Sequence, residues 1–292
     1  MNKQRRADLL LVMTTFFWGA SYYLTDICLA DLPPMTLNAF RFIVAFLVLG
    51  LIFWKHVVHI NRTTLWYSLI VGLALAGTYV AYNYGITRTS LSNAAFICAL
   101  QVIFAPLLGF LFFRQRPGWK LGAALVVCTV GMALLNGELR PASGDLICLI
   151  TPLCYAVDLL ITEKAVRDPR VDPLGLGVCQ LAVVGIVTLA LALGLGEPVH
   201  LPTSGRTWAA ALFLGIFCSG VAFVIQSVQQ QYTTASHVGL IFTLEPVFAS
   251  MVAFVMTGEV LSLRGYIGAA LMLLSLFIME GDWSFLRRKE RV

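Results

Sequence analysis

Charge is scarce in this chain: 12% of its 292 residues are charged and 59% are hydrophobic, whereas soluble proteins average about 25% charged. So little polar surface excludes a water-soluble globular domain. The seven cysteines, Cys28, Cys98, Cys128, Cys148, Cys154, Cys179 and Cys218, all fall in apolar stretches, with no CxxC and no His/Cys cluster at zinc spacing. They read as small hydrophobes, not as a redox or metal framework. Phosphate-cradling loops, HExxH and nucleotide-binding motifs are missing too, which argues against ATP-driven work by this chain and leaves no cofactor to expect.

What the chain has instead is length without charge. Leu9 to Thr25, Thr63 to Thr87, Thr89 to Phe113, Leu121 to Gly137, Pro173 to Gly196 and Thr207 to Leu244 carry no charged residue. Most reach the roughly 20 residues that cross a hydrocarbon core, and the last approaches two spans. Taking charges, prolines and glycine-rich turns as breaks, the sequence predicts helices near 9–30, 35–54, 65–86, 92–113, 119–136, 144–165, 173–194, 208–229, 236–257 and 264–281. Basic residues test this parsing. With the N-terminus cytoplasmic, 15 Lys/Arg fall in cytoplasmic segments and 4 (Arg88, Arg140, Arg206, Arg264) on the opposite side, leaving Arg41 inside a helix. Ten spans with both termini cytoplasmic are therefore expected, and the net charge of +5 needs no nucleic-acid partner. No small-residue cleavage site follows the basic start, so the first helix reads as retained, not as a cleaved signal.

The two halves of the chain are alike. Ala7-Asp8-Leu9 matches Gly144-Asp145-Leu146 at an offset of 137; Pro34 then falls on Pro173, Gly77 on Gly220, Ser92-Asn93 on Ser236-His237 and Gly122-Ala123-Ala124-Leu125 on Gly268-Ala269-Ala270-Leu271. Five helices per copy is odd, so the second copy must enter the membrane from the other side. Inverted repeats of this kind recur in secondary transporters, with the solute site near the midplane between the halves. Polar residues align as well: Thr14, Trp18, Ser21 and Thr25 correspond to Thr151, Tyr155, Asp158 and Thr162. Their helical spacing puts each set on one face and predicts a polar seam turned away from lipid.

Phe17-Trp18-Gly19, Arg41-Phe42, Pro106, Leu244-Glu245-Pro246-Val247-Phe248-Ala249, Gly258-Glu259-Val260-Leu261-Ser262 and Gly268 stand in an order and duplication that resembles the EamA-type transporters of the drug/metabolite transporter (DMT) superfamily, over essentially the whole chain. The resemblance implies an all-α integral membrane fold of two inverted five-helix EamA-like repeats, residues 1–137 and 138–292. It implies a cavity lined by helices 1–4 and 6–9, with helices 5 and 10 peripheral, and suggests export or exchange of metabolites such as amino acids. Two departures stand out: Arg114-Gln115-Arg116 replaces the usual Gly-Glu of the first half, and Tyr155 replaces the Trp-Gly pair in the second.

Ionisable groups inside spans are costly and seldom idle. Glu245, near the middle of the ninth helix, and Asp158, in the sixth, are candidates for a cation or proton site, with His237 at the start of the ninth as a further proton-coupling candidate. The competing reading makes each acid a neutral, hydrogen-bonded packing group. Asp26 and Arg41 lie at similar depth and are expected to form a structural ion pair; the alternative is an Arg41 that grips a solute carboxylate. Tyr79, Tyr82 and Asn83 share one face of the third helix. Repeat alignment sets Asn83 against Gln226 and Gln101 against Glu245. With Trp18, Tyr22 and Tyr155 these residues make a candidate solute-binding cavity with aromatic walls, suited to aromatic or cationic solutes. Pro106, Pro152 and Pro246 lie within spans, where kinks serve either gating or a static bundle. Gln229-Gln230-Gln231-Tyr232 reads as a polar cytoplasmic turn.

The expected function is thus a secondary transporter in a prokaryotic cell membrane, exporting a small amphipathic metabolite. Its partners are that small molecule and the lipid bilayer, and a homodimer through the peripheral helices is left open. The rivals are a membrane enzyme acting on a lipid-linked substrate, which would need a loop-borne catalytic cluster, and a non-transporting sensor or assembly partner.

Overall fold

The computed structural model describes residues 3–86, 88, 97–114, 118–135, 144–258 and 260–280. The basic cluster at 287–291, Arg140, Ser92-Asn93, Gln115-Arg116 and Glu259 lie outside the described residues. Among the described residues the regular structure is helical, with no strand. We label the main helices α1 (Lys3–Leu29), α2 (Pro34–Ile52), α3 (Arg62–Ile86), α4 (Ile97–Phe112), α5 (Trp119–Leu135), α6 (Asp145–Val166), α7 (Pro173–Gly194), α8 (Gly205–Tyr232), α9 (Ala235–Thr257) and α10 (Leu263–Glu280). Six of them, α2, α3, α6, α7, α8 and α9, are long and apolar enough to cross a membrane, and α4, α5 and α10 are shorter apolar helices. α1 is 27 residues long, but its stripe of Trp18, Ser21, Tyr22, Thr25 and Asp26 makes it less apolar.

The outer surface is apolar, unlike that of a soluble protein, and several polar groups lie inside. Leu51 (76% exposed), Val255 (76%) and Phe277 (70%) point outward, while Thr14, Asp158, Gln180 and Gln226 are fully buried. Hydrocarbon outside rewards apolar surface and leaves a polar group only the protein interior for partners.

Local signals set the helix starts. Pro173 opens α7 behind the Asp172 cap, whose carboxylate accepts from the Leu174 and Gly175 amides. Ser204 and Thr234 cap α8 and α9 through the Thr207 and His237 amides. The α2 start is capped from a distance, by Glu197 Oε2 accepting from the Met35 and Thr36 amides at 3.1 and 3.3 Å.

The packing has a two-fold pattern. α3 packs on α6 and α7 as α8 packs on α1 and α2, and α4 packs on α6 as α9 packs on α1. α2 with α7 and α5 with α10 pair equivalent helices directly. At one end of the bundle, which holds the start of α1, His56 Nδ1 meets Asp172 at 2.6 Å, Asn61 donates to the Arg170 carbonyl at 2.6 Å and Lys3 lies 5.9 Å from the Tyr232 ring. At the far end the Thr203 amide and hydroxyl both donate to Asp31 at 2.8 Å; these bonds, the backbone one first, hold the Asp31 carboxyl below its ordinary range. Segments assigned to one side by their basic residues are therefore neighbours in space.

Several expected elements are interrupted. α9 is broken at Thr243–Leu244, where two short turns separate Ala235–Phe242 from Glu245–Thr257. The cause is Pro246, which has no N–H for the Phe242 carbonyl. α4 likewise turns at Leu100 before a regular helix starts at Gln101. The residues that follow the two breaks, Gln101 and Glu245, are the pair matched by the repeat.

Candidate functional site

A cavity of about 360 Å³ lies between the helices, with Asp26, Leu29 and Pro34 toward the far end of the bundle. Its wall includes Trp18, Tyr22, Tyr79, Tyr82, Asn83, Gln101, Tyr155 and Glu245. Eight residues proposed from sequence for solute binding are thus brought to one space. Beyond the rim, a second hollow of about 530 Å³ shares Leu29, Pro34 and Asn83 and adds Asp31, Pro198 and His200.

The aromatic floor is built on α1, α6, α8 and α9. The Trp18 ring lies 4.7 Å from Phe242, 5.3 Å from Phe223 and 6.1 Å from Tyr155, and its Nε1–H donates to the Cys218 carbonyl at 2.8 Å. Gly19, the next residue, lets α1 approach α9: a Cβ there would stand 2.6 Å from Phe248 Cβ and 2.7 Å from the Ala249 amide. The Trp-Gly pair of the first helix and the Glu-Pro-Val-Phe-Ala segment of the ninth are therefore one contact. Glu245 begins the second half of α9 and faces the Tyr22 hydroxyl.

Arg41 is 5% exposed yet reaches the cavity. Its guanidinium lies 5.5 Å from the Phe42 ring and 5.4 Å from the Tyr79 ring, and its Nε donates to Ser219 Oγ at 2.7 Å. Tyr79 is within electrostatic reach of both Arg41 and Glu245. The cavity therefore carries a guanidinium and a carboxyl group on an aromatic frame.

Three expectations meet a different placement. No ion pair joins Asp26 to Arg41 among the described residues: Asp26 is exposed at the rim, whereas the Arg41 side chain is drawn inward by Ser219 and two rings. Asp158 and Gln226 do not line the cavity but lie behind its wall, fully buried. Tyr155 O–H donates to Gln226 Oε1 at 2.9 Å, and Gln226 Nε2 donates to Asp158 Oδ1 at 2.9 Å, so the acid is linked to the cavity through one amide. Asp158 Oδ2 has no hydrogen-bond partner among the described residues. His237 sits at the opposite end, 3.3 Å from Asp8, because the α9 start abuts the α1 start.

Among the described residues, contacts gather at that end of the bundle. Glu163 accepts from the Ala235 amide at 2.6 Å and pairs with Arg167 at 2.7 Å, and Gln230 donates to the Leu159 carbonyl at 2.5 Å.

Sequence reasoning missed Asn38, Thr78, Phe223 and Phe242 on the wall and Ser219 behind it. Asn38 was accessible to it, since a polar residue three before Arg41 in an apolar helix marks one face. Ser219 carries no such signal.

Among known proteins, the chain matches the EamA-like transporter family over residues 5–137 and again over 142–280. It is 26% identical to a protein named an uncharacterized transporter from Methanothermobacter thermautotrophicus, over 92% of this chain and 84% of that one. It is 24% identical to another so named from Archaeoglobus fulgidus, over 95% and 87%, and 25% identical to the protein PecM of Dickeya dadantii, over 94% and 92%. A solved crystal structure superposes with a TM-score of 0.78 at 18% identity, covering 99% of both chains, which establishes likeness of fold. With its apolar spans, apolar outer surface and two family matches, this chain is an integral membrane protein and belongs to the EamA-like transporter family.

Proposed function

We propose that this protein is a secondary transporter that exports a small amphipathic metabolite, an amino acid, organic cation or related compound, from a prokaryotic cell by alternating access with proton coupling. The observation that carries this reading is the cavity of about 360 Å³, the volume of a small-solute site, with Arg41 and Glu245 held among aromatic rings. Aromatic faces desolvate an apolar or cationic part of the solute, and the Arg41 and Glu245 head groups orient its polar end.

The topology proposed is ten spans in two inverted repeats, residues 1–137 and 138–292, with both termini cytoplasmic. The two family matches, the paired packing and the distribution of basic residues support it. The cavity rim then faces outward and the Asp8–His237 and Glu163 contacts close the cytoplasmic side. Glu245 in the cavity and Asp158 behind Tyr155 and Gln226 are the groups we assign to proton uptake and release.

Reconstitution into liposomes with a panel of amino acids and organic cations tests the reading. Saturable flux driven by a pH gradient is expected, and Glu245→Gln and Asp158→Asn should each lower it about tenfold or more with the fold retained. No flux of any solute above protein-free vesicles would overturn the transporter reading. Wild-type flux in both variants between about pH 5.5 and about pH 8 would return the acids to a packing role.

A further inference from the structure

The middle of α8, Leu214–Val221, is π-helical, a widened form that occurs mostly as single turns at functional sites. Here it serves two cavity residues at once. The Cys218 carbonyl accepts from Trp18 Nε1 at 2.8 Å, and the next residue, Ser219, holds Arg41 Nε at 2.7 Å. Gly215, one turn earlier, lies against α2, where a Cβ would stand 3.0 Å from the Arg41 carbonyl. Arg41 is thus fixed from α8 through both its backbone and its side chain.

Fixing Nε leaves the fork of the guanidinium. Among the described residues the two terminal nitrogens of Arg41 have no hydrogen-bond partner, and neither has Asn38 Nδ2, although Asn38 is only 5% exposed. Asn38 and Arg41 are three residues apart on α2 and both line the cavity. These groups only donate, so what satisfies them must accept, and a planar carboxylate suits a guanidinium fork. Among the described residues neither Asp26 on the rim nor Glu245 in the cavity forms an ion pair with Arg41.

We propose that Asn38 and Arg41 form a subsite for the carboxylate of the solute, with Ser219 of the π-helical turn as the positioning residue. The proposal rests on the transporter reading for the solute's size and aromatic part, and it narrows the solute to one bearing a carboxylate. Organic cations without an anionic group then offer no acceptor to the Asn38 amide or the Arg41 fork.

Three probes separate the parts: L-phenylalanine, 3-phenylpropionate, which lacks the amine, and phenylethylamine, which lacks the carboxylate. Binding to the purified full chain in nanodiscs is measured by calorimetry, and flux in liposomes. Wild type should bind L-phenylalanine and 3-phenylpropionate. Ser219→Ala and Asn38→Ala should each weaken both about tenfold while changing phenylethylamine by about twofold or less, and Ser219→Thr should restore affinity. In ¹⁵N NMR, the Arg41 Nε–H should be exchange-protected in wild type and lose protection in Ser219→Ala, a readout that needs no solute. Equal weakening of all three probes, unchanged affinity for the two carboxylates, or retained Nε–H protection would overturn the proposal. Phenylethylamine flux with no competition from 3-phenylpropionate would overturn the subsite and leave the transporter standing. Selective binding of the carboxylates with no flux of any solute would do the reverse.

Discussion

Trp18 and Tyr155, which the repeat places in equivalent positions, meet at 6.1 Å on the cavity floor, but Trp18 is only 6% exposed and is packed against Phe223 and Phe242. A ring held on most of its surface leaves a void when removed. Trp18→Ala should therefore cost about 3–5 kcal/mol as well as affinity, and Trp18→Phe, which refills most of the space, should cost far less. Thermal unfolding in detergent, run beside a binding assay, checks this; an unchanged melting temperature with lost affinity would show that the ring contacts solute alone. The helical spacing of polar residues on α1 and α3 exposed most of the wall in the sequence. Partner choice was not legible: Arg41 and Asp26 have matching charge and depth, but Ser219, 178 residues from Arg41 in the chain, competes from a helix whose approach only the fold sets.

At the scale of helices, the contacts that hold the bundle are close crossings of small residues, as expected where lipid offers no hydrophobic drive between helices. α5 and α10 cross at Gly131 and Gly268, where a Cβ on either would come within 2.8 Å and 2.5 Å of the other's carbonyl oxygen. Gly131→Ala should lower stability by about 1–3 kcal/mol, whereas Gly122→Ala, with nothing within 4 Å of its Cβ, should leave it unchanged or raise it by about 0.5–1 kcal/mol. Thermostability by size-exclusion chromatography separates the two; equal melting temperatures would place the α5–α10 crossing elsewhere. One departure from the family pattern also acquires a physical reading. Gly258 ends α9 in the left-handed region with φ 73°, and its counterpart Arg114 ends α4 in the same region with φ 54°, so the backbone of the motif is kept without its glycine.

For the whole molecule, orientation across the membrane decides what the two ends mean. In a background without the native cysteines, His59→Cys should be labelled only from the cytoplasm and Leu201→Cys, at a residue 63% exposed at the far end, only from outside. Labelling of both from one side would break the ten-span topology and with it the outward-facing assignment of the cavity.

Composition and periodicity alone determined the solvent of this chain, its all-helical class and its family, because each is written in local patterns of charge, apolarity and helical spacing. The glycine at position 19 and the segment after Leu244 could be seen as motifs in the sequence, but that they touch could not. Only the tertiary structure decided that Asp158 lies behind the wall through Gln226, that His237 belongs to the opposite end, that Pro246 and the turn at Leu100 open α9 and α4 beside the cavity, and that α8 widens where it grips Trp18 and Arg41. These features depend on which helices cross, and at what depth, so residues about 70 to 200 positions apart act on one another; no local pattern encodes that separation.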